Sequence, residues 1–250
     1  MQPRDIVAAP GHNASMRAAI SRQLERYRLS VARPDAVPQL ALLGIVAGIL
    51  AGLTIIAFRL LAERLQSGLL AGQAGHFAAL APEHRLYLAL FGGLILGLMF
   101  QWLSRDARRV GILHVLERLE YHQGRMPWRN AVSQFLGGTL AIISGQSIGR
   151  EGPSAHLGAA SSNLPAQWLQ LPNNSLRVTA ACGVAAGIAA SFNTPLAGVA
   201  FAMEVLMLEY TVAGFTPVIL ATVSATMLSR LVFGDQIAFI VPTISLGSLS

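Results

Sequence analysis

The chain has 250 residues, of which 53% are hydrophobic and only 12% charged, and its mean hydropathy is +0.53. Soluble domains carry charge on nearer a quarter of their residues, so this balance excludes an ordinary soluble domain and indicates a membrane protein. All 18 basic residues are arginines that fall between apolar runs, so the net charge of +6 reports membrane topology; no basic face interleaved with aromatics points to nucleic acid as a partner.

Residues 1–35 are polar and hold Arg4, Arg17, Arg22, Arg26, Arg28 and Arg33 without an apolar core. That excludes a cleavable signal peptide and predicts a basic cytoplasmic segment. Within it, residues 15–30 read either as an amphipathic helix on the inner leaflet or as a solvated arm. Residues 40–58 and 86–104 each give 19 uncharged, mostly apolar positions, enough to span a hydrocarbon core of about 30 Å. The segment 66–84 has few charges, whereas 105–129 holds Arg105, Arg108, Arg109, Arg118, Arg125 and Arg129. The positive-inside rule then places the N-terminus and the 105–129 loop in the cytoplasm and 66–84 outside.

Residues 130–149 are uncharged but include Asn130, Ser133, Gln134, Thr139, Ser144, Gln146 and Ser147. Such a helix is too polar to face lipid all round and is expected either buried among other helices or lining a water-filled path. Residues 178–203 are uncharged for 26 positions yet broken at Asn193-Thr194-Pro195, because Pro195 disfavours helix at Thr194 and donates no backbone bond. Two half-helices meeting at depth are predicted. A last span over 210–229, interrupted near Pro217, and a tail over 241–250 complete the chain. The single cysteine, Cys182, lies in an apolar run, so no disulfide framework is expected. His12, His76, His84, His114 and His122 have no ligand-like spacing, and no metal site is expected.

Glycines recur four apart at Gly44, Gly48 and Gly52, at Gly93 and Gly97, at Gly145 and Gly149, and at Gly183 and Gly187. Small residues at that spacing let helices approach closely where lipid supplies no drive to pack them. Near Glu151 they would also expose backbone to an ion.

Gly149-Arg150-Glu151-Gly152-Pro153 opens a helix after about 20 uncharged residues and places a carboxylate at membrane depth, where a charge is costly and usually functional. The unpaired N–H groups of a helix start, with the positive end of the helix dipole, suit a small anion. Glu151 competes with a halide for those amides, and protonating it removes the competitor. One residue then serves as gate and proton carrier. Buried starts of broken helices mark ion sites in transporters, and this chain offers three: Val110-Gly111-Ile112, Gly149 to Pro153, and Asn193 to Pro195.

Gly149 to Pro153, followed by Phe192-Asn193-Thr194-Pro195-Leu196-Ala197-Gly198 and a phenylalanine-led helix reaching Glu204, resembles the CLC family of chloride channels and chloride/proton exchangers. The resemblance covers roughly residues 36–240. It implies an all-α membrane protein with tilted, broken helices in the CLC inverted-repeat fold, first repeat only, with chloride or another small anion as the transported ligand, no cofactor, and a homodimer in a bacterial inner membrane. It also implies Glu151 as the gate, with Val110, Gly111, Ile112, Gly149, Arg150 and Gly152 around the anion, and Ser147, Pro153, Asn193, Thr194 and Pro195 along the path or at helix breaks. Arg109-Val110-Gly111-Ile112-Leu113 stands where the family has Gly-Ser-Gly-Ile-Pro. The coordinating hydroxyl is lost to Val110, which leaves nitrate and fluoride open beside chloride. The bland alternative makes 109–120 an amphipathic helix with Leu113, Leu116 and Leu119 packed inward.

Exchangers of the family carry an inner glutamate at the place taken here by Val205, and valine carries no proton, so the resemblance favours a channel-like, voltage-gated protein over a proton-coupled antiporter. Glu204 and Glu209 read as helix-end acids near the cytoplasmic face. The chain ends about where the first repeat would finish. The expectation is therefore a fragment lacking second-half groups, including a tyrosine, or a truncated non-conducting protein; dual-topology assembly is opposed by the arginine bias. A rival reading takes Gly145-Gln146-Ser147-Ile148-Gly149 as a nucleophile elbow with His156 as base, in an intramembrane serine protease. The elbow needs a preceding strand, and neither flank reads as one. No enzyme is expected.

Overall fold

The structure, a computed structural model, describes residue 25 and residues 37–69, 80–208 and 211–234. The predicted segments 1–35 and 241–250 lie outside the described residues, apart from residue 25, and so does Glu209. The elements among the described residues are all helices: α1 (Val37–Leu69), α2 (Pro82–Trp102), α3 (Gly111–Tyr121), α4 (Trp128–Ile143), α5 (Glu151–Trp168), α6 (Asn173–Phe192), α7 (Pro195–Phe201), a π-helical turn (Ala202–Met207) and α8 (Val212–Phe233). Among them, α1, α2, α6 and α8 are long and apolar enough to cross a membrane. At 1.5 Å per residue the 33-residue α1 spans about 50 Å. It therefore tilts or extends past a 30 Å hydrocarbon core.

Helix α6 is the hub, packed against α5, α8, α1 and α7. Its sequence explains the position: Ala180, Ala181, Gly183, Ala185, Ala186, Gly187, Ala189 and Ala190 put small residues on most of its surface, so that neighbours approach closely around it. Close approach replaces hydrophobic drive where the solvent is lipid. A Cβ on Gly183 or Gly187 would overlap the α5 backbone at Gly158 or Ser154. Gly44, Gly48 and Gly52 of α1 likewise meet the backbone of Pro217, Ala221 and Ala225 on α8, one glycine per residue at matching four-residue steps.

The other glycine pairs pack differently from the expectation. In α2 it is Gly92 that lies against Ser144, whereas a Cβ on Gly97 would meet nothing within 4 Å. Gly145 and Gly149 lie outside any helix, because α4 stops at Ile143 and the chain turns at Gly145 with φ of 73°. Helix α8 also differs from its predicted form. It runs unbroken through Pro217 to Phe233, since a proline in the second turn costs one backbone bond without ending the helix.

The polar residues of α4 are buried, the first of the two alternatives for that part of 130–149. Ser133 and Thr139 donate to carbonyls of their own helix, Gln134 accepts from the Gly111 amide, and Asn130 reaches the preceding loop, whereas Ser147, beyond α4, is exposed. Asn130 Nδ2 donates to the carbonyls of Asp106 at 2.6 Å and Arg109 at 2.7 Å. Buried polar groups need partners, and here the partners fix the turn that leads into α3.

Candidate functional site

The three helix starts singled out in the sequence, α3 after Val110, α5 after Arg150 and α7 after Thr194, have no side-chain cap from the residue before them, as is also true of α2, α4 and α6. Each start leaves backbone N–H groups with no intrahelical acceptor. Residues from all three converge on one cavity of about 440 Å³, lined by Ile112, Glu151, Gly152, Ala155, Ile188, Phe192, Thr194, Ala197 and Phe201. Glu151 occupies the first turn of α5, where a carboxylate is favoured by the helix dipole.

Local sequence explains each start. Gly111 has φ of 81°, a conformation that costs a residue with a side chain about 1–2 kcal/mol, so glycine permits the turn from the loop into α3. Asn193 closes α6 in the left-handed conformation at φ 56° and ψ 35°, which asparagine tolerates better than most residues. Thr194, at φ −125° and ψ 76°, is non-helical ahead of Pro195, and the proline opens α7, where its missing N–H removes no helical bond. The 178–203 run is thus split at the residues where the break is expected.

Of the residues singled out from the sequence, Ile112, Glu151, Gly152 and Thr194 line the cavity. Gly149 and Pro153 flank Glu151 in the chain, with Pro153 buried. Val110 is the residue before α3, and Asn193 and Pro195 flank Thr194. The amide of Gly111 is not open to an anion, because it donates to Gln134 Oε1 at 2.7 Å. Arg150 lies on a different, small cavity with Arg59, Glu63 and Ser191. Leu113, which the alternative reading of 109–120 packs inward, is 77% exposed, while Leu119 is buried; His114, Val115 and Leu119 form the buried face of α3. Glu204 and Val205 are exposed in the π-helical turn.

Ser147 is exposed in the loop joining two helices, α4 and α5, with no strand before it. The nucleophile-elbow geometry is therefore absent there, and His156 is engaged elsewhere. Its Nε2 lies 3.0 Å from Nδ1 of His114 across the contact of α3 with α5, and both rings are buried. Sequence reasoning set these histidines apart because 42 residues separate them and nothing local pairs them. Helix α3 is not one of the four helices long and apolar enough to cross a membrane, and burial, then the nearby Arg118, lowers the pKa of His114 from 6.5 to about 4. The apolar half of the cavity, Ile188, Phe192 and Phe201, also went unread. Its one signal was a pair of phenylalanines on either side of the Asn193 break.

The sequence model described as voltage gated chloride channel matches residues 92–250. The chain is 31% identical over 210 residues to a putative chloride channel protein ClcB-like of Ralstonia nicotianae, covering 81% of this chain and 49% of that protein. It is 34% identical over 200 residues to the voltage-gated ClC-type chloride channel ClcB of Escherichia coli, covering 76% and 47%. Among solved structures it is similar to a CLC-type fluoride/proton antiporter, with TM-score 0.67 and 26% identity over 86% of this chain and 52% of that one. It is also similar to a slow cyanobacterial Cl−/H+ antiporter, with TM-score 0.62 and 26% identity over 79% and 48%. The chain spans about half the length of the curated relatives it matches. With its uncapped helix starts, its break at Asn193 and a match over residues 92–250, this multi-pass membrane chain belongs to the CLC voltage-gated chloride channel family.

Proposed function

We propose that the chain contributes the first-repeat half of a pathway for a small anion, chloride being the first candidate, with Glu151 as its gate. The observation that carries this reading is the convergence of Ile112, Glu151, Gly152 and Thr194, from three uncapped helix starts, on one cavity. Unpaired amides at helix starts attract anions, and Glu151, at one of those starts, is an internal competitor for them. In this reading Val110, Gly111, Gly149 and Arg150 shape the helix starts and the approach to them, and Ser147, Pro153, Asn193 and Pro195 set the breaks. The protein acts in a bacterial inner membrane with the 105–129 loop and the N-terminus cytoplasmic, as a homodimer in the whole assembly.

Because the chain spans half of its relatives, transport is assigned to an assembly that includes a second repeat. Chloride efflux from proteoliposomes tests it, with the chain alone and with the chain co-expressed with the second repeat of a relative. Efflux is expected from the co-expressed pair, and Glu151→Gln, which mimics the protonated acid, is expected to raise it across pH 4 to 7.5 and to remove the part of its pH dependence that follows the carboxylate. Equal efflux from both forms across that range would sink the gating role.

The second reading is a proton-coupled antiporter, favoured by the printed activities of the two structural relatives, a fluoride/proton and a Cl−/H+ antiporter. Val205 stands against it, as an apolar residue where exchangers of the family have an acid. A chloride gradient that fails to drive protons uphill supports the channel-like form. Robust uphill proton movement supports the antiporter.

A further inference from the structure

His114 and His156 form the buried ring pair that joins α3 to α5, the two helices whose first turns bring Ile112 and Glu151 to the cavity. The pair adjoins the cavity wall along the chain: Ile112, two positions before His114, and Ala155, one position before His156, both line the cavity, and the histidines point away from it into the contact of α3 with α5. His156 is 0% exposed and its Nδ1 has no hydrogen-bond partner. On its other side, His114 lines a second cavity of about 370 Å³ with Asp106, Arg109, Glu117 and Arg118, in the arginine-rich 105–129 region.

An imidazole pair sharing one hydrogen bond takes up one proton without losing that bond. The neutral pair is N–H···N, and the singly charged pair is N⁺–H···N; only a second proton makes both facing nitrogens donors. One proton therefore places a positive charge behind the anion cavity while the contact of α3 with α5 stays intact. We propose that the His114–His156 pair is a proton-binding site coupled to the anion cavity, through which acid reaching the 105–129 region tightens anion binding. This rests on the anion reading of the cavity given above.

The charged and titratable groups around the pair set its range. Arg118, Arg109 and His122 oppose a charge on His114 and Glu117 favours it, although Glu117 is already ion-paired with Arg109. Helix α4 carries only Arg129, which lines the second cavity with Asp106. Helix α6 carries only Arg177 and Cys182, and α1 only Arg59, Glu63 and Arg64. Burial and the excess of arginine both keep the pair neutral at pH 7 and place its charging in acid. Linkage is reciprocal, so an anion in the cavity must raise the proton affinity of the pair by the factor by which the proton raises anion affinity. A unit charge about 10 Å from a bound anion at a protein-like dielectric corresponds to about tenfold.

The test is imidazole nitrogen NMR on the whole chain in lipid nanodiscs, in the Glu151→Gln background so that the gate carboxylate does not titrate. Samples are taken from pH 7.5 to 3 in chloride and in gluconate. Two histidine rings are expected to titrate together, with a midpoint about one pH unit higher in chloride. A pair that stays neutral to pH 3 in both salts, or titrates at the same midpoint in both, overturns the proposal. His156→Gln is expected to abolish the chloride-dependent change while His122→Gln keeps it; the wild-type pair decides the matter alone if His156→Gln fails to fold. Amide shifts at Gly152 and Thr194 on adding chloride at pH 7.5 separate the two ideas. Without such shifts at any pH the anion reading fails and this coupling with it. Shifts at those amides with an unmoved histidine midpoint overturn the coupling alone.

Discussion

Arg230 donates from Nε to Oδ1 of Asn193 at 2.8 Å, so the last turn of α8 holds the residue at which the longest uncharged run of the chain bends. Asn193 has φ of 56° and ends α6, and the next residue, Thr194, enters the cavity wall. Asn193→Ala forces a Cβ residue without a local hydrogen-bonding side chain into the left-handed region, at a cost of about 1–2 kcal/mol. Asn193→Gly keeps the conformation and loses only the bond to Arg230. The expected order of thermal unfolding in detergent is wild type above Asn193→Gly above Asn193→Ala. Alanine matching the wild type would mean the bend is not held by backbone conformation.

The match of Gly48 to Ala221 gives a second expectation. A Cβ at Gly48 overlaps the Ala221 carbonyl, which is backbone and cannot swing aside, so Gly48→Ala is expected to lose about 1–3 kcal/mol. Gly97→Ala in α2 meets nothing within 4 Å and is expected to be neutral or to gain up to about 1 kcal/mol from helix propensity. Denaturant unfolding of the two variants in one detergent checks the contrast.

Gln134 holds the entry to α3 by accepting from the Gly111 amide. Gln134→Leu fills similar volume but leaves that N–H unpaired, and the expected loss is about 1–3 kcal/mol. Hydrogen exchange at Gly111 should speed up in the variant. Unchanged exchange would show that another group protects this amide.

The lowered pKa of His114 fixes the sign of a pH dependence. Folding favours the neutral ring, so its stabilising contribution is present above the unfolded value of 6.5 and is lost as the pH falls toward the folded value of about 4. The stability difference between wild type and His114→Gln is therefore expected to shrink between pH 6.5 and 4. A difference constant across that window would contradict burial as the cause.

Features set by the backbone of a single segment were legible in the sequence. Asn193-Thr194-Pro195 had to break a helix because proline restricts its predecessor, and the four-residue glycine step of Gly44, Gly48 and Gly52 had to mark a close contact. Which helix fills that contact was not legible, because α8 arrives about 170 residues later in the chain. Two local rules also misled. Pro217 looked like an interruption, but α8 continues through it at the loss of one backbone bond, held by its packing against α1 and α6; Gly145 and Gly149 had the spacing of a helix contact, but the positive φ at Gly145 places them in a loop. In the candidate site, the helix starts were readable from capping logic, whereas the pairing of His114 with His156 and the aromatic wall of Phe192 and Phe201 depend on packing between helices that no local pattern encodes.

Glu151 and a small anion are proposed to compete for the same helix-start amides. The most direct measurement is a chloride titration of wild type and Glu151→Gln at pH 7.5, followed through the amide shifts of Gly152 and Thr194. Competition predicts tighter chloride binding in Glu151→Gln, by about tenfold or more for removal of an adjacent like charge, at the same two amides in both proteins. Equal affinity in the two, or chloride shifts elsewhere with none at Gly152, would contradict it.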